Sequence, residues 1–200
     1  MDAVRVAVLR EVLAGSEWLP ATRRFAGCLR TAVRRQGGGL LLVGTAEYEP
    51  WHLAAHLDDE AAWSGRPELS PTLVRHRVPP AAPAHLAVDL SRLEGAGRGE
   101  TVLVVAPAEP GEALLERVDD ARRGGATVLA IDGARTLASL AHDVLHPDAA
   151  AGVGLDTVQH LVSAAAGESA EPAPGRGRRR FADRLARLAE QLAAPPPPRW

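Results

Sequence analysis

Two histidines four residues apart, His52 and His56, are the residues of this chain best spaced to do chemistry. On a helix that spacing puts both side chains on one face, with Cβ atoms about 5–6 Å apart, so two imidazoles can meet one metal ion or one reacting group. Imidazole is neutral or charged within easy reach of pH 7, so the pair is the candidate catalytic unit as base or as ligand. Zinc is the ion such a pair suggests, and it needs at least a third donor. Glu49 on the preceding turn, Glu60 one turn further and the distant His160 are the candidates. The plain alternative is a pair of partly exposed helix histidines with no ligand. The other histidines, His76, His85, His142 and His146, fall at element ends or in loops and call for no special role.

The elements that must position the pair follow from periodicity. Leu40–Val43 is a short apolar run, Gly44 begins a turn, and Glu49–Trp63 carries helical spacing with Pro50 tolerated in its first turn. Further strands are expected at 72–76, Thr101–Ala106, Thr127–Ile131 and Asp143–Leu145, and helices at 85–93, 110–123, 137–142 and 155–166. Strands that read as continuous apolar runs between helices imply a parallel sheet covered on both faces. The expected fold is therefore a three-layer α/β/α sandwich around a five-stranded parallel sheet. Residues 1–36 carry helical spacing in two sets, broken at Leu19-Pro20, and form an N-terminal helical extension. Residues 37–167 form the α/β domain. Residues 168–177 are rich in Pro, Gly and charge and form a linker. Residues 178–200 combine an amphipathic helix (Phe181, Leu185, Leu188, Leu192) with a polyproline end.

This order and spacing resemble the sugar isomerase (SIS) domain family, with the phosphoheptose isomerase group as the nearest subtype. That group's first loop and helix read roughly G-N-G-G-S-A-x-x-x-Q-H-x-A-A-E-L, and His52-Leu-Ala-Ala-His-Leu57 stands where it has H-x-A-A-E-L. The resemblance implies that His52 and His56 lie where a sugar carbonyl is enolised, with His56 replacing a glutamate. It places ligand-binding positions at Gly44, Thr45 and Glu47 after the first strand, at Ala106 and Glu109 after the third, and at Gln159 on the last helix, where the isomerases keep a Gln and a His and this chain has Gln159 and His160 at a different spacing. It also implies a sugar phosphate as ligand and a homo-oligomer, a dimer or tetramer. The loop that would carry S-x-S-G-x-S/T falls at Ala106-Pro-Ala-Glu-Pro-Gly111 and has no serine, while Glu109 and Glu112 bring negative charge to a helix start. Anions are held well by hydroxyls and helix N-termini and badly beside fixed carboxylates, so ordinary phosphosugars should bind weakly.

Composition narrows the remaining classes. Two hundred residues, 46% hydrophobic and 24% charged, suit a globular protein with a buried core. No apolar run approaches the roughly 20 residues of a membrane span, and the start lacks a signal-peptide layout, so a cytoplasmic protein is expected. A lone Cys28 excludes an internal disulfide. The 23 basic residues are all arginine and the net charge is −2, with one short basic cluster at Arg176–Arg180, which disfavours nucleic acid as a partner. Three functions follow: an SIS-domain sugar-phosphate-binding protein of weak or lost isomerase activity, a non-catalytic scaffold with a protein partner on residues 178–194, or a metal-binding protein acting through His52 and His56.

Overall fold

The computed structural model describes residues 17–36, 38–147 and 153–167. The expected helix within residues 1–16, the 168–177 linker and the 178–194 amphipathic helix lie outside the described residues. The first described helix, α1 (Trp18–Gln36), starts before Pro20, so the break expected at Leu19-Pro20 falls slightly too late. A proline in the first turn sacrifices nothing, because the first four helical N–H groups have no intrahelical acceptor.

The five strands are β1 (Leu40–Val43), β2 (Pro71–Val74), β3 (Thr101–Ala106), β4 (Thr127–Asp132) and β5 (Asp143–Leu145). All pair in parallel, in the order β2-β1-β3-β4-β5. The ladder beside β1 ends at Val74, so Arg75 and His76, expected inside that strand, stand beyond its carboxyl end. The helix expected over 85–93 is instead a 3-10 turn (Ala84–Leu86) followed by a short helix, α3 (Ser91–Glu94). Asp89 explains the interruption: its carboxylate accepts from the backbone N–H and the hydroxyl of Ser91, which starts a new turn in place of continuing the old one. The stretch expected to be helical over 137–142 is a single 3-10 turn, Leu137–Ser139.

The longer helices α2 (Trp51–Ser64), α4 (Glu112–Arg123) and α5 (Leu155–Gly167) complete the layers. Alternate strand residues point to opposite faces. Leu40, Leu42, Leu103, Val105, Leu129 and Ile131 pack against α1, α2 and α5. Leu41, Val43, Val102, Val104, Val128 and Ala130 pack against α3 and α4. Helix α2 buries Leu53, Ala54, Leu57, Glu60 and Ala61 and ends at Gly65, whose φ of 68° lets its N–H reach the Ala61 carbonyl. The C-terminus of α5 is held by two guanidinium groups, Arg30 donating to the Ala165 carbonyl and Arg66 to that of Ala166 at 3.3 Å. Cations at that end also complement the helix dipole. These contacts tie α5 to α1 and to the end of α2, and so fix the face on which His160 sits.

Cys28 lies partly buried on α1, where burial first, and then a hydrogen bond to Asp143, push its thiol above the ordinary range. It is a packing residue. Among the described residues no helix is long and apolar enough to cross a membrane.

Candidate metal centre

Because all five strands are parallel, the helices that follow β1 and β5 both begin at the carboxyl end of the sheet. His52 occupies the first turn of α2, His56 the second, and His160 the second turn of α5. Helices α2 and α5 pack side by side, and the three imidazoles meet across that seam. Ring centroids are 4.7 Å apart for His52 and His56, 4.4 Å for His52 and His160, and 4.1 Å for His56 and His160. One nitrogen from each ring lies within 4.8 Å of the other two. A tetrahedral zinc with bonds of about 2.0–2.1 Å spaces its donors by about 3.4 Å, and small side-chain rotations close the difference. The donor set is three neutral nitrogens of borderline softness, which suits zinc, cobalt, nickel or copper and not magnesium or calcium.

The other two candidates for a third donor are engaged elsewhere. Glu49 turns to Arg75, with Nη2 to Oε2 at 3.1 Å and Nε to its oxygens at 3.1 and 3.2 Å, and accepts from Trp51 Nε1 at 2.7 Å. Glu60 is buried, with its carboxylate so close to the end of α5 that a Cβ on Gly167 would strike it.

The environment disfavours the charged form of His160 and of His56. Burial first, then the neighbouring His56 and His52, push the His160 imidazole down to about 4, against an opposing pull from Asp156. His56 is lowered by burial and by His52, with Asp59 opposing. An unfolded chain titrates its histidines near pH 6.5, so between about pH 6.5 and 4 it binds more protons than the native state. The metal-free protein should therefore lose stability as pH falls through that window. Urea midpoints at pH 7, 5.5 and 4.5 check this, and His160→Asn should flatten the dependence; a variant as steep as the wild type would show that His160 is not held neutral.

The loops named from the sequence are more closed than expected. Gly44 is buried and its carbonyl accepts from His76 Nε2 at 3.0 Å, while a Cβ there would collide with the Tyr48 carbonyl. Thr45 is buried and its carbonyl takes the Tyr48 N–H at 3.2 Å. Glu47 is exposed. Gln159 is fully buried and donates from Nε2 to the Tyr48 hydroxyl at 2.8 Å, linking the first loop to α5. Burial raises the pKa of that tyrosine. Ala106 is fully buried with its carbonyl taken by Gly133 N–H at 2.8 Å, and Glu109 is exposed. Sequence reasoning missed Tyr48, Trp51 and Arg75. Arg75 lies 5.0 Å from the centroid of the Trp51 ring, a cation–π contact that braces the loop from outside. An aromatic residue near a helix start and an arginine near the end of an expected strand were the only local signals for it.

Comparison with known proteins finds no matching family model and no matching curated protein. Solved structures do match. A candidate sugar-binding protein from Salmonella typhimurium LT2 superposes with a TM-score of 0.55 at 16% identity, over 94% of this chain and 55% of that one. A candidate phosphosugar isomerase from Silicibacter pomeroyi DSS-3 gives a TM-score of 0.55 at 18% identity, over 94% and 52%. The chain has the sugar isomerase fold. It spans about half the length of these two proteins. In sugar isomerase terms the His52, His56 and His160 cluster stands at the carboxyl end of the sheet, where open α/β folds place their ligands.

Proposed function

We propose that this chain is a sugar-binding protein of the sugar isomerase fold whose site is organised by one transition-metal ion, zinc first, held by His52, His56 and His160. The observation that carries the reading is the convergence of three imidazoles from two helices on one point. Such an ion would supply an electrophile for a sugar carbonyl or hydroxyl. The chain's own residues do the rest: α2 and α5 orient the rings, and the Tyr48–Gln159 bond fixes the loop beside them. Aldose–ketose isomerisation is the catalytic form of this proposal when the ion is bound; in the metal-free form His52 or His56 would be free to act as base, and a cytoplasmic homo-oligomer is its cellular form.

A scaffold acting through protein contacts is the second reading, favoured by Trp63, which is 71% exposed on the helix that carries His52 and His56. Equilibrium dialysis against Zn²⁺ followed by elemental analysis separates the two. The expected result is one tightly held zinc per chain and a raised melting temperature; a protein that retains none after reconstitution belongs to the second reading.

A further inference from the structure

The positions after β1, β2 and β3 where a phosphate would be held offer it little. Arg75, beside β1 at the carboxyl end, spends both Nε and Nη2 on Glu49. The segment Ala106–Glu112 has no side-chain hydroxyl, Gly111 gives α4 no side-chain cap, and Glu112 already sits in that helix's first turn. A carboxylate there takes up the favourable end of the dipole that a phosphate would need. Asp59 and Asp156 add negative charge beside His56 and His160, which favours a divalent cation there and supplies no donor for a phosphate. On the residue before His160 in the chain, the Gln159 Oε1 atom is buried, beside the Tyr48 hydroxyl that its Nε2 meets, and has no donor among the described residues. A buried acceptor of this kind is relieved by a hydroxyl and not by an oxyanion.

Resting on the metal-centre reading above, we infer that the ligand of this site is an uncharged polyhydroxy compound, a free ketose or aldose, and not its phosphate ester. Three imidazoles leave at least one coordination position open, and a carbonyl with its neighbouring hydroxyl can fill it. The ion pair of Glu49 with Arg75 is the specificity device: the protein's own carboxylate occupies the guanidinium that a phosphate would otherwise take.

The test uses the full chain loaded with Co²⁺, whose visible bands report any oxygen entering the metal's coordination, and Co²⁺ stoichiometry is measured before sugar is added. The probes are D-fructose, D-ribulose and D-sedoheptulose, the terminal phosphate ester of each, and inorganic phosphate. At least one free ketose should shift the bands and bind at least tenfold tighter than its own ester, with inorganic phosphate inert. Glu49→Gln, which releases Arg75, and Glu109→Ser, at an exposed position, should each raise affinity for the esters at least tenfold; thermal melts confirm that both fold. Esters binding tighter than free ketoses, through Arg135 or any other group, overturn the inference, as does a cobalt-loaded protein whose bands no free ketose moves. Failure to bind Co²⁺ at all overturns the metal reading itself, and is seen separately.

Discussion

Replacing His160 by alanine is expected to cost at least about a hundredfold in zinc affinity. Loss of partners that merely orient a metal ligand costs about 10–100-fold, and His160 would be a direct donor, the only one from outside α2. What remains, an i, i+4 pair on one helix, is a two-donor chelate that leaves zinc mostly hydrated. His52→Ala and His56→Ala should each show a comparable loss, since every pair among the three rings is similarly close. The readout is stoichiometry after dialysis together with zinc-dependent stabilisation. A ligand at 100 times its dissociation constant adds roughly 2.7 kcal/mol to a native state that alone binds it, so the wild type should gain several degrees that all three variants lack. Metal-free melting temperatures should change little for His52→Ala, because His52 is exposed. A His160→Ala protein that still holds one zinc as tightly as the wild type would sink the three-histidine centre.

The largest loss of stability is expected from Asp132→Ala. Asp132 closes β4, is fully buried, and its carboxylate gathers three backbone donors: Ala134 N–H at 3.1 Å, Arg135 N–H at 3.0 Å and Leu137 N–H at 2.8 Å. The turn it organises includes Arg135, held at a φ of 63° that non-glycine residues rarely adopt. Alanine leaves those donors without the carboxylate; the Leu137 N–H is buried and, unsatisfied, costs about 1–3 kcal/mol, while the half-buried Ala134 and exposed Arg135 groups can turn to water, so a loss of about 2–3 kcal/mol follows. For a domain of this size that is roughly 2–4 °C for each kcal/mol. Chemical denaturation measures it directly. Zinc stoichiometry should be unaffected, because the turn after β4 supplies none of the three imidazoles. A change below about 1 kcal/mol would show that solvent or a rearranged turn replaces the carboxylate.

Strands and helices were legible wherever a local pattern is enough to specify them. Leu40–Val43 and Thr101–Ala106 begin and end as their patterns predict, because a strand buried on both faces needs only a short apolar stretch bounded by turn residues. The first turns of α2 were legible too, and with them the shared face of His52 and His56, since spacing along one helix is a property of the helix alone. Where a side chain overrules the pattern, local reading failed: Asp89 ends the expected 85–93 helix, and Asp132 organises a turn that no periodicity announces. The choice among Glu49, Glu60 and His160 as the third donor was open in the sequence. The tertiary structure sends Glu49 to Arg75, buries Glu60 against the end of α5, and brings His160 across the α2–α5 seam beside the pair. Those contacts join segments far apart along the chain, and their geometry depends on how helices pack on the sheet, which is set by the whole core and by the Arg30 and Arg66 anchors on α5 and by no stretch of residues alone.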